Sequence, residues 1–136
     1  MKNKKEREHM VQLLMLSAGL SELLLILKGI CENIDLSRIN MRVKQYSQFR
    51  FTFFGLIVKV NGILERMLFK CERFKNSTDG FNEIFKSISR VKKKMETAYE
   101  CINNNKMNDS RKLIIESAEE YEKIYGSVCD YAMRRI

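Results

Sequence analysis

Apolar residues recur alternately three and four positions apart along four separate stretches of the chain. This spacing gathers apolar side chains on one side of an α-helix, which completes a turn every 3.6 residues. The stretches cover residues 10–34, 39–74, 81–102 and 114–132, and Arg50 is the only charged residue on the stripe of the second. The pattern predicts four amphipathic helices and therefore an all-α fold.

Polar residues that favour turns and helix ends separate the stripes. Residues 33–37, 76–80 and 103–110 are rich in Asn, Asp and Ser, and the second of these segments ends in glycine. Asp35 is expected to cap the second helix. Because the connections are short, consecutive helices are expected to lie side by side and antiparallel. The sequence predicts one domain over residues 1–136, an up-down-up-down bundle of four helices of about 25 to 40 residues.

The segment 49–62 also fits a different structure. Phenylalanine occupies every second position over 49–53, as in a β-strand, and an Asn-Gly pair at 61–62 favours a hairpin turn. A short hairpin between helices is therefore the alternative. The uninterrupted three-four spacing favours a helix, in which Gly55 and Gly62 predict a kink or a break because each costs about 1 kcal/mol relative to alanine.

The amino-terminal segment has two interpretations. A basic stretch over 2–7 and an apolar run over 11–20 resemble a secretory signal. Glu6, Glu8 and Glu22 interrupt this pattern, and the apolar run continues the first helical stripe, so we interpret it as a bundle helix and keep the signal as the alternative. Since charges interrupt every long apolar window, no membrane span is predicted, and the protein is expected in the cytoplasm with reduced thiols.

The residues that build common catalytic centres are scarce. The chain has one histidine, His9, in a charged segment, and four cysteines without a CxxC pair, at positions 31, 71, 101 and 129. It has no glycine-rich phosphate loop and no nucleophile elbow. No catalytic residue, metal site or cofactor is therefore predicted, and the cysteines are interpreted as small buried apolar residues.

Positive charge is concentrated in one part of the sequence. The chain carries 25 basic and 17 acidic residues, a net charge of +8, and residues 35–75 contain nine basic and three acidic residues. Cations opposite the apolar stripes predict a basic face on the second and third helices that attracts phosphate backbones or an acidic protein. The predicted members of this face are Arg38, Arg42, Lys59, Arg66, Lys70, Arg73, Lys86, Arg90, Lys93 and Lys94.

Three functions follow from these patterns. The first is a non-catalytic, oligomeric helical adaptor whose basic face binds nucleic-acid backbone without sequence specificity, or an acidic protein; no motif for reading bases is present. The second is a protein-interaction or regulatory module that uses the surplus apolar residues of the first two helices, which also predict a homo-oligomer. The third is a sensor that binds an anionic small ligand at Arg50, in an apolar pocket between helices.

Overall fold

The computed structural model describes residues 4–35, 38–39, 42–72 and 80–136, and four long α-helices dominate it. A short 3-10 helix, Lys44–Tyr46, precedes the second of them, and the described residues contain no β-strand. The four helices are α1 (Lys4–Asn33), α2 (Ser47–Cys71), α3 (Phe81–Asn103) and α4 (Met107–Met133). The protein is an all-α four-helix bundle, as its hydrophobic pattern predicts.

Each helix packs against its two neighbours around the bundle, in the order α1, α2, α3, α4 and back to α1. Hydrogen bonds between helices show that neighbours are antiparallel. Near the start of α4, the Ser110 hydroxyl donates to the Ala98 carbonyl late in α3 over 2.9 Å. The Arg111 guanidinium donates over 2.6 Å to the carbonyl of Cys31 at the end of α1. The topology is therefore up-down-up-down.

The four predicted stripes meet in one hydrophobic core. Phe53 of α2 and Tyr121 of α4 are among its largest fully buried side chains. The Tyr121 hydroxyl donates over 3.3 Å to the Ser17 carbonyl of α1, so the polar end of the ring has a partner inside the core. Burial of a large apolar side chain contributes about 1.5–3 kcal/mol, and many such side chains stabilise the bundle.

The second helix differs from its prediction in two respects. It begins at Ser47, after the 3-10 helix, whereas the apolar spacing extends back to Ile39. It is also unbroken through Gly55 and Gly62, and no hairpin forms in this segment. The reason is burial: the three-four stripe that includes Phe53 is fully enclosed. The free energy of that burial outweighs the intrinsic cost of two glycines, each about 1 kcal/mol.

Candidate interaction surface

The predicted basic residues of α2 and α3 lie on different sides of the bundle. Lys59 and Arg66 are exposed on α2, and the Lys70 ammonium on the same edge donates to the Gln12 side chain of α1. On α3, by contrast, Arg90 and Lys94 point towards α4. The structure thus brings three of the α2 cations together near α1 and separates them from these two α3 cations.

The α3 cations converge on one carboxylate of α4. Arg90 and Lys94 each approach a different oxygen of Glu120 to 2.8 Å, and Arg90 also donates to the Ser87 hydroxyl. Only 20% of the Glu120 side chain is exposed. Burial alone would raise the pKa of Glu120; the hydrogen bonds and charges of Lys94 and Arg90 outweigh burial and hold that pKa below its usual value.

Two further cations of the predicted basic face form ion pairs with acidic residues of their own segments. Arg38 contacts Asp35 at 3.2 Å, and Lys86 contacts Glu83 at 3.7 Å. Asp35 lies outside the N-terminus of α2, where Tyr46 occupies the cap position, so it does not cap that helix as predicted. These exposed local pairs partly neutralise the charge that was expected to attract a phosphate backbone.

Three predicted members of the basic face remain. Arg42 is exposed before α2, Lys93 is exposed on α3, and Arg73 lies outside the described residues. Arg50 is predicted on the apolar stripe of the second helix. In the structure it is half-buried at the boundary with α3, because the enclosed part of α2 begins at Phe53. The described cations therefore form several small groups rather than one continuous face.

Large apolar side chains are exposed on α1 and α2. Met15 is 70% exposed, Phe51 is 83% exposed and Phe69 is 79% exposed. In α2 these side chains belong to a second three-four series on the outward side, which we name the α2 outer stripe: Phe51, Gly55, Val58, Gly62, Glu65 and Phe69. The corresponding α1 outer stripe consists of Val11, Met15, Ala18, Glu22, Leu25 and Gly29, with Ile26 beside it.

The outward sides of α3 and α4 are polar by comparison. Over the described residues, α3 exposes none of its large apolar side chains, and α4 exposes only Met133 in its last turn. The apolar surface of the bundle is thus concentrated on the side formed by α1 and α2. In the sequence, this apolar side is indicated by the outer stripes themselves. They form a second three-four series, with positions such as Phe69 that the core series does not include.

A shallow apolar groove runs between the α2 outer stripe and α3. Phe54 and Tyr99 meet edge to face, with ring centroids 5.7 Å apart, and Arg50 lies at one end of a hollow of about 450 Å³ lined by both rings. A second hollow continues along the helices past Gly62 to Lys92 of α3. The groove is therefore apolar around Phe54 and Tyr99 and more polar at its far end, where Asn61, Glu65 and Lys92 line it.

Other groups do not form a recognisable reaction centre. Cys31 and Cys71 are buried, and burial raises the pKa of each thiol to about 12. Within the described ranges, no three His, Cys, Asp or Glu side chains come together as a metal-binding group. His9 is half-buried in α1. The two buried cysteines accordingly fit the interpretation of cysteine as a small apolar core residue.

By length and composition, α1 alone among the described helices is apolar enough to cross a membrane. Glu22 is the only charged residue between Val11 and Leu27. A signal sequence and a core helix of a bundle share this property. In the structure, α1 buries one side against α2 and α4 and leaves the α1 outer stripe exposed.

Fold and surface together define a four-helix bundle with one apolar, basic-edged outer side. No family model matches the chain, and neither the curated proteins nor the solved structures include one with significant similarity to it.

Proposed function

We propose that this protein is a non-catalytic interaction module that binds another protein through the outer sides of α1 and α2. The observation that supports the proposal is the contrast between these two helices, which expose Met15, Phe51 and Phe69, and the polar outer sides of α3 and α4. Contiguous exposed apolar surface of several hundred Å² marks interaction sites in soluble proteins.

The available area is sufficient for a stable contact. Phe51 and Phe69 are each about four-fifths exposed, so together they present roughly 250–400 Å² of aromatic surface. The exposed side chains of Met15, Leu25 and Ile26 add apolar area on α1, on the other side of the row formed by Lys59, Arg66 and Lys70. A standard protein interface buries about 800 Å² on each partner, and the two stripes with their polar edges provide a surface of that order.

Backbone-directed binding of nucleic acid is the second candidate function. Lys59, Arg66 and Lys70 follow one another along one edge of α2, and among the described residues none of the three forms an ion pair. Against it, Glu120 offsets two of the predicted α3 cations, and the α2 group shares its helix with the exposed apolar side chains of Val58 and Phe69. Protein binding is therefore the better-supported function.

Photo-crosslinking tests which side of the bundle is occupied. p-Benzoylphenylalanine is placed singly at Met15, Ile26, Phe51 and Phe69, and at Glu122 on the exposed side of α4 as the matched control. We expect nuclease-resistant protein adducts from the first four positions and none from the control. An adduct of twice 16.1 kDa would identify the predicted homo-oligomer.

Two results would contradict the proposal. Equal adduct formation at Glu122 would show that the α1–α2 side has no preference for partners. Adducts that nuclease removes would instead support the nucleic-acid candidate, and a salt series with random-sequence DNA and RNA would then show a steep fall in affinity as salt rises.

A further inference from the structure

We propose that the α2 outer stripe is a docking groove for an amphipathic helix with acidic flanks, contributed by a partner protein. This inference rests on the proposed function and names the class of partner that would bind on α2. Three properties of the stripe support it: its alternation of large side chains and hollows, its length, and the positive charge along its edge towards α1.

The shape of the stripe matches a helix. Gly55 and Gly62 are seven residues apart and lie between the larger Phe51, Val58 and Phe69. Gly55 lines the first hollow between α2 and α3 and Gly62 lines the second, and a Cβ atom at either glycine would meet no other atom within 4 Å. Side chains spaced three and four apart on a partner helix would insert into these hollows, as in knobs-into-holes packing, and glycine lets the two backbones approach closely.

The length of the stripe sets the length of its partner. Eighteen residues separate Phe51 from Phe69, which corresponds to about 27 Å at 1.5 Å per residue. A helix of about five turns would cover both phenylalanines and both hollows. Because most helical stability in proteins comes from the packing of an amphipathic face, the partner segment would be expected to gain most of its helicity on docking.

Charge along the edges selects the chemistry of the partner. Lys59 and Arg66 lie along the edge towards α1, and neither has an ion-pair partner among the described residues. On the edge towards α3, Lys92 is already paired with Glu96 at 2.5 Å, and Arg50 lies near the other end of the groove. Glu65 is the only acidic residue of the stripe itself. Glutamates along one flank of a partner helix would therefore meet Lys59 and Arg66 on the edge towards α1.

The same charges disfavour a second copy as the occupant. An antiparallel two-fold pairing of α2 with α2 of another molecule places the edge that carries Lys59 and Arg66 beside the identical edge of the other copy. The like charges would then repel one another, whereas an acidic helix avoids this repulsion. We therefore assign the stripe to a different, acidic protein segment.

Two stapled peptides test the inference on the full chain. Each is a fluorescent 21-residue helix with leucine at the seam positions; one has glutamate at the flanking positions and the other has lysine. We expect the acidic peptide to bind with micromolar affinity in fluorescence anisotropy, to weaken with salt, and to bind at least about tenfold more tightly than the basic peptide.

Variants of the stripe separate shape from charge. Gly62→Gln fills one hollow without a clash and should weaken the acidic peptide about tenfold, while Gly126→Gln on α4 should leave its affinity unchanged. Lys59→Glu combined with Arg66→Glu should reverse the preference between the two peptides. Because all four positions are on the surface or beside open space, circular dichroism should show an unchanged fold.

Several outcomes would overturn the inference. These are equal binding of both peptides, an unchanged affinity in Gly62→Gln, a dimer in light scattering that Gly62→Gln dissociates, and binding to phosphatidylserine vesicles in place of the peptide. Crosslinks from Met15 and Ile26 without crosslinks from Phe51 or Phe69 would overturn this inference alone and leave the proposed function intact. The absence of crosslinks at all four positions would overturn both.

Discussion

Replacing Glu120 by glutamine removes the carboxylate on which Arg90 and Lys94 of α3 converge. Each cation lies 2.8 Å from one of its oxygens, so the carboxylate joins α3 to α4 at two points. The amide of glutamine keeps one acceptor and loses the charge, and it places an NH₂ group against a cationic donor. We expect Glu120→Gln to destabilise the bundle at neutral pH.

The magnitude follows from the exposure of the three side chains. Charge-assisted hydrogen bonds contribute about 1.5–3 kcal/mol each when well buried, but exposed ion pairs contribute only about 0.2–1 kcal/mol. The Glu120 side chain is 20% exposed, while those of Arg90 and Lys94 are 56% and 34% exposed. We therefore expect loss of the whole network to lower the free energy of unfolding by an intermediate amount, about 1–2 kcal/mol. This corresponds to a decrease of about 3–8 °C in Tm for a chain of this size.

The direction in which stability changes with pH follows from the pKa of Glu120. The pKa of Glu120 is lower in the folded protein than its ordinary value of 4.5. Its contribution to stability is therefore fully present above about pH 4.5 and is lost as the pH falls through the folded-state pKa. The difference in free energy of unfolding between wild type and Glu120→Gln should be largest at pH 7 and should shrink at pH 3.

Urea denaturation at both pH values measures this difference. Glu122→Gln is the matched control, because Glu122 is exposed two residues further along α4 and should change stability by less than about 0.5 kcal/mol. Equal stability of the two variants at pH 7 would refute the reasoning. A Glu120→Gln deficit that persists unchanged at pH 3 would show that packing, and not charge, causes it.

Three further predictions concern the fold. Phe53→Ala should lower the free energy of unfolding by about 3–5 kcal/mol in urea denaturation, while Phe51→Ala should change it by less than about 0.5 kcal/mol; equal effects would support strand-like alternation. Gly80→Ala should cost about 1–2 kcal/mol in thermal unfolding because φ is 87°, whereas Gly126→Ala should raise stability by up to about 1 kcal/mol. Burial raises the pKa of Cys31 to about 12, so mass spectrometry should find it alkylated at pH 8 far more slowly than the half-buried cysteines; similar rates would contradict its burial.

Hydrophobic spacing in the sequence was sufficient to predict the bundle. Each helix has its own apolar series in the sequence. One member of each, namely Leu13, Phe53, Val91 and Ile114, illustrates that these series are buried in the structure. Spacing alone did not locate the start of α2, because the apolar series continues back through Val43, which is exposed in the structure. Nor could it choose between helix and hairpin around Gly62, since that choice depends on the free energy of burying the stripe against neighbouring helices.

The basic surface shows the limit of sequence reasoning most clearly. A helical projection places Arg90 opposite the core series, and nothing in the local sequence reveals that Glu120, thirty residues away, lies beside it. Which cations are offset depends on the alignment of α3 with α4, and that alignment follows from the packing of the whole core. The predicted phosphate contacts and the predicted cytoplasmic location remain predictions.

The sequence by itself determined the helices and their buried sides, because three-four spacing is a local property of the chain. It also contained the α2 outer stripe, whose three-four spacing can be read between Phe51 and Phe69 without any structure. Only the tertiary structure decided that this second series remains exposed, because a helix has two neighbours in the bundle and they cover only the sides that face them. The exposed series is the part of the molecule that we assign to a partner.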